Sequence, residues 1–131
     1  METIDVIDLI EDYLCDKCDE LFDGDTIVCD KVYNPEEAVT RSAYVSSVKS
    51  NTADQFGVGE YSAQIIENRE KRSQCTHDVE LIRKNFTKYG DILANGLAIY
   101  ITIQYITMPI KIVVGTSNVY TISANLNITV K

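Results

Sequence analysis

The sequence predicts an α+β fold, two helices packed on a mostly antiparallel β-sheet in the order α-β-β-β-α-β-β-β. Three observations predict it. Apolar residues recur at steps of three and four in two segments, short β-branched runs lie between them, and the last eleven strand-like residues, Tyr120 to Val130, alternate apolar and polar. At 131 residues the chain fits a single domain, 1–131, with a core that buries roughly two-thirds of its unfolded surface.

The first helix is expected over 4–22, where Ile7, Ile10, Leu14, Cys18 and Leu21 line one face. Thr3 suits the N-cap, Asp5 and Asp8 complement the positive end of the helix dipole, and Gly24 between two aspartates ends it. Thr26 to Val32 reads as a short strand closed by Tyr33-Asn-Pro35, and Ala38 to Val48 as a second. The polar segment 50–59, with two glycines, reads as a mobile loop before a third strand over 61–68.

Thr76-His-Asp78 is expected to cap a second helix carrying Val79, Ile82, Phe86, Tyr89 and Leu93, with Asn95-Gly96 as its stop. Leu97 to Thr107 suits either period, and its β-branched content favours a strand. Ile110 to Val114, the turn at Gly115 to Asn118 and the alternating Tyr120 to Val130 form a C-terminal hairpin, 110–130.

Charge is spread unevenly. Residues 1–30 hold eleven acids and one base, Lys17, for a formal −10, whereas the whole chain is −8, so the remainder sums to +2. The bases cluster at Arg69, Lys71, Arg72, Arg83, Lys84 and Lys88, and Leu97 to Lys131 contains no acid. A sequence pI near 4.5 disfavours binding to nucleic-acid phosphates, and no sequence-specific nucleic-acid binding is expected. Met1 is followed by acids rather than a signal peptide's basic and apolar stretches, and no apolar run reaches membrane-spanning length. The expectation is a soluble protein with no membrane partner, whose cysteines are reduced.

No catalytic machinery is visible, and neither an enzyme nor a bound cofactor is expected. Cys15-Asp-Lys-Cys18, with Cys29, Cys75 and His77, is the one set that resembles a metal or redox site. The CxxC lies within a predicted helix, no second CxxC follows, and neighbouring acids would raise a thiol's pKa. Small buried thiols on a helix face are the favoured reading, and a thiolate metal site is the alternative. His77 is the single histidine and is expected to cap a helix beside Asp78.

Ile106-Thr-Met-Pro-Ile110, then Val114-Gly115, Val119-Tyr120 and the terminal Ser123-Ala-Asn-Leu-Asn-Ile-Thr-Val130, is similar to the ending of small phage tail terminator proteins, with a proline-led strand, a glycine turn and an alternating strand with asparagines. The order of the earlier elements fits the same family. The resemblance implies a non-catalytic ring, commonly hexameric, that caps the tail tube and meets the head-side connector and, in contractile tails, the last sheath ring. It implies a place in a virion or phage-like particle assembled in the bacterial cytoplasm. The N-terminal helix is more acidic, and the second strand richer in serine, than that family leads one to expect.

Opposite charge on two regions suits head-to-tail contact between copies. The expected interface residues are Asp12, Asp16 and Asp19 on the first helix and Arg69, Arg72, Arg83 and Lys84 in the basic segment, with Phe56 reaching an adjoining ring. The alternative is a small acidic inhibitor that occupies the basic groove of a nucleic-acid-binding protein, using the acids of residues 1–30.

Overall fold

The computed structural model describes residues 3–49 and 57–131. The elements in order are α1 (Thr3–Leu21), β1 (Cys29–Asp30), β2 (Thr40–Val48), β3 (Gly59–Arg69), α2 (Arg72–Asn85), β4 (Lys88–Ile92), β5 (Ala98–Ile106), β6 (Ile110–Val114) and β7 (Ser117–Val130). The fold is the expected α+β class with one strand more than the sequence predicts. All seven strands join one sheet of order β1-β2-β3-β7-β5-β4, with β6 pairing β7 beyond the end of β5. Every pairing is antiparallel except β1 with β2.

α1 forms where the apolar spacing places it and buries Val6, Ile10, Leu14, Cys15 and Cys18, with Phe22 buried just after it. Thr3 is itself helical, not a cap. At the other end Gly24, at φ +90°, takes the left-handed conformation that stops the helix, as expected.

α2 departs from its expected bounds at both ends. It starts at Arg72, where the Gln74 side chain accepts the Lys71 N–H at 3.0 Å, and Thr76, His77 and Asp78 lie inside it. It ends at Asn85, whose side chain donates to Leu81 O at 2.8 Å. It does not run on to Leu93, because the chain is in β4 from Lys88, where Gly90 sits at φ +80° in an irregular register. Asn95-Gly96 consequently closes a β4–β5 hairpin instead of stopping a helix; Leu93 N–H donates to Leu97 O at 2.8 Å and Gly96 N–H to Leu93 O at 2.9 Å. Tyr89, expected on the helix's apolar face, is an exposed strand residue, while Leu93 is buried.

The first strand is also shorter than Thr26–Val32. Only Cys29 and Asp30 pair, because Val28 and Val32 point into solvent and a further strand is absent on that flank among the described residues. The expected mobile loop at 50–59 falls largely on residues 50–56, outside the described residues; Gly59 already belongs to β3.

Strand parity divides the sheet into two faces. Tyr61, Ala63 and Ile65 of β3, Ile99 and Ile101 of β5, and Ile122 through Val130 at even positions of β7 face the helices and form the core with Cys75, Val79, Ile82 and Phe86 of α2. On the opposite face the registers align Ser62 with Asn127, Gln64 with Asn125, and Tyr100, Thr102 and Tyr105 with Thr129, Asn127 and Asn125. Glu60 is the one charged residue that β3, β5 and β7 place there. Tyr44 OH donates to Gln64 Oε1 at 2.7 Å and Gln64 Nε2 to Ser123 Oγ at 2.6 Å, linking β2, β3 and β7 across that open face.

Candidate functional site

The helix layer carries the charge. On α1, Asp8, Asp12, Asp16, Asp19 and Glu20 are exposed, at the spacing of three and four that marks one helical flank. Asp12 pairs with Lys31. Asp16, Glu20 and Asp23 have no ion pair among the described residues. Acids in the last turn of a helix meet the negative end of its dipole, and α1 has no base there to offset them. Two acids of this helix are also occupied with the sheet. Glu11 Oε2 accepts the Val45 N–H and Asp19 Oδ1 the Cys29 N–H, each at 2.9 Å, so they cap backbone groups on the β2 and β1 flank.

On α2 the exposed bases are Arg72, Arg83 and Lys84. Arg72 stacks over the Tyr120 ring at 5.1 Å, and Arg83 pairs with Glu80 at 3.1 Å. Arg83 and Lys84 lie in the last turn, where the dipole favours them. The C-terminal ends of the two helices meet across a cleft of about 240 Å³ lined by Lys17, Glu20, Leu21, Asn85, Phe86 and Lys88. Among the described residues no ion pair joins the exposed acids of α1 to the exposed bases of α2.

Arg69 belongs elsewhere. It is 12% exposed, with Nη1 at 2.5 Å from Asp25 and 3.4 Å from Asp78. It forms the rim of a buried ion cluster centred on Arg41, which is completely buried; Arg41 Nε donates to Glu67 Oε1 at 2.7 Å, and its Nη2 lies 3.2 Å from Asp25 and 3.5 Å from Asp78. The Phe22 ring packs on the guanidinium at 3.8 Å. Phe56, the remaining expected interface residue, lies outside the described residues.

Two guanidinium groups here meet three carboxyls. Burial pushes Glu67 up to about 8, and the hydrogen bond it shares with Asp78 pushes in the same direction against the pull of Arg41. Glu67 Oε2 is buried without a hydrogen-bond partner, which fits a carboxyl that holds its proton. Burial would raise Asp25 as well, but Arg69 and Arg41 outweigh it and hold that carboxyl below its ordinary value. Sequence reasoning missed this cluster and placed Asp78 in a helix cap. Its signal is parity, since Arg41 shares a face with Ala43 and Val45, and Glu67 with Tyr61, Ala63 and Ile65.

The four cysteines are buried and unbridged. His77 is exposed. Among the described residues no group of three or more His, Cys, Asp or Glu side chains is placed to hold a metal ion, and no helix is long and apolar enough to cross a membrane. No protein-family model matches the chain, and a search of curated proteins finds no match.

Proposed function

We propose that this protein is a structural, non-catalytic component of a phage or phage-like particle, a tail terminator or nearby neck protein that closes into a homo-oligomeric ring, with a hexamer the expected closure. The observation that carries this reading is the division of exposed charge between two helices of one layer, acids on α1 and bases on α2, with no ion pair between them among the described residues. A ring is a heterologous assembly in which one surface meets a different surface of the next copy. Asp12, Asp16 and Asp19 of one copy against Arg72, Arg83 and Lys84 of its neighbour satisfy that requirement and relieve the acids crowded at the C-terminal end of α1. The nearly uncharged open face of the sheet lets copies stand side by side around a lumen without mutual repulsion. Tail tube, sheath and head-side connector proteins are the partners this reading assigns, in a virion assembled in the bacterial cytoplasm.

The experiment is mass by light scattering over a concentration series, with negative-stain imaging, alone and with purified tail tubes. Closed rings that loosen in high salt support the reading. A chain that stays monomeric under both conditions overturns it. The acids of α1 also fit the second reading, an inhibitor of a basic nucleic-acid-binding protein, which predicts a monomer or dimer that binds such a protein with steep salt dependence.

A further inference from the structure

Cys15 and Cys18 stand one turn apart on the buried side of α1, and β1 brings Cys29 against both. Cys29 Sγ donates to Cys15 Sγ at 3.3 Å, and Cys18 is buried one helical turn along from Cys15. The Cys29 N–H is held by Asp19 of α1, so the helix that carries two thiols also positions the third. Sulfurs in contact at 3.3 Å bring the two thiols together as a disulfide requires.

We propose that Cys29 is a disulfide-forming site that joins Cys15 when the protein meets a low-molecular-weight disulfide such as oxidised glutathione, with Cys18 as the thiol to which the bond can migrate. The Cys29 thiolate attacks one sulfur of the reagent, forming a mixed disulfide and releasing one reagent thiol. The Cys15 thiol, after losing its proton to solvent, displaces the second reagent thiol and completes the protein disulfide. Two protein thiols are oxidised and one small disulfide is reduced to two thiols. Cys18 attack on Cys29 then frees Cys15 by the same substitution.

The contact with Cys29, then burial, raises the Cys15 thiol well above its ordinary range. The hydrogen bond with Cys15 lowers Cys29, but the contact with Cys18 and burial outweigh it, so its thiolate too is scarce at neutral pH. The reaction is therefore slow and accelerates with pH and with opening of β1, a two-residue strand held by the sheet on one side only. Cys75 stands apart beneath α2, its Sγ 3.4 Å from Tyr120 O, and serves as an internal control.

The test is incubation of the folded full-length protein with oxidised glutathione at about pH 8 without denaturant, followed by acid quench, alkylation, intact mass and peptide mapping. The expected result is loss of two hydrogens from the monomer, a crosslink joining Cys29 to Cys15 or Cys18, and Cys75 alkylated. Cys75→Ser should oxidise like the parent, while Cys29→Ser should keep its mass. A Cys15–Cys18 link, a link between chains, a stable glutathione adduct on Cys29 or an unchanged mass overturns the proposal. Mapping on the unsubstituted protein keeps the test independent of whether Cys29→Ser folds, and neither outcome bears on ring assembly.

Discussion

Two parts of the interior lie against the same sheet face and are built from different chemistry. Where α1 crosses the sheet, Ile10, Leu14 and Cys18 meet Ala43 and the β-branched residues of the central strands, and stability comes from apolar area removed from water. Beside the first turns of α2, Arg41, Glu67 and Asp78 replace them, three ionisable side chains that are each no more than 2% exposed. The difference lies in tolerance. An apolar contact degrades in proportion to the volume removed, whereas a buried ion cluster fails all at once, because deleting one member strands the others.

The largest expected effect follows directly. Arg41→Ala leaves Glu67 and Asp78 facing each other without their central cation and should cost about 3–5 kcal/mol in urea unfolding. Arg41→Met with Glu67→Leu, which removes the pair together, should recover much of that loss; recovery of none would mean that packing by the guanidinium, not charge, is what Arg41 supplies. Leu14→Ala on the apolar side should cost about 2–5 kcal/mol and remain independent of pH. Gly57→Ala belongs in the same range. Gly57 sits at φ +84°, and an added Cβ would stand 2.1 Å from Val6 Cγ2, so the N-terminal turns of α1 would have to lift.

The ion cluster should also give the molecule a pH dependence that the apolar side lacks. Glu67 keeps its proton when folded and loses it when unfolded above about pH 4.5, so its contribution is full below that point and falls as pH rises to about 8. Asp25 works in the other direction. Its folded value lies below the unfolded one, so the stability it adds is present above about pH 4 and is lost as pH falls through the folded value. Urea midpoints should decline from about pH 5 to pH 8 in the parent, and Glu67→Gln should flatten that decline. An equal slope in both proteins would assign the pH dependence to other groups.

The smallest effect on folding is expected at Asp16→Lys, an exposed change worth within about 0.5 kcal/mol. The same change should weaken ring formation measured by light scattering, and Arg83→Glu on the other surface should partly restore it in a mixture of the two variants. If neither variant alters assembly, the exposed charges of the helix layer are merely solvated.

Much of this architecture is legible without coordinates. The alternation of β7 and the spacing of Ile10, Leu14 and Cys18 are repeated patterns, and each residue reinforces the others. The second helix differs from its sequence pattern at both ends because its signals are single residues. The Gln74 side chain acts as its cap in place of the Thr76 segment, and β4 begins at Lys88, inside a run of apolar spacing that continues to Leu93. The ion cluster is half legible, because parity puts Arg41 and Glu67 on the core face, but their meeting depends on the β2–β3 register. Arg69 sits in a run of bases that reads as surface, yet as the last residue of β3 it shares the core-face parity of Ile65 and Glu67, which brings it to Asp25. The contact of Cys29 with Cys15 has no local signal at all, since it depends on β1 folding back along α1.

The carboxylates of α1 that reach the strands have a consequence for how molecules of this kind can aggregate. Glu11 and Asp19 occupy backbone donors along the β1 and β2 flank, while Met108, Ile110 and Val113 leave the β6 flank apolar and, among the described residues, without a further strand. Fibril growth needs every molecule to accept a strand on both sides. With two of its donors already held by carboxylates, the β1 and β2 flank offers an incoming strand fewer free backbone groups than it otherwise would.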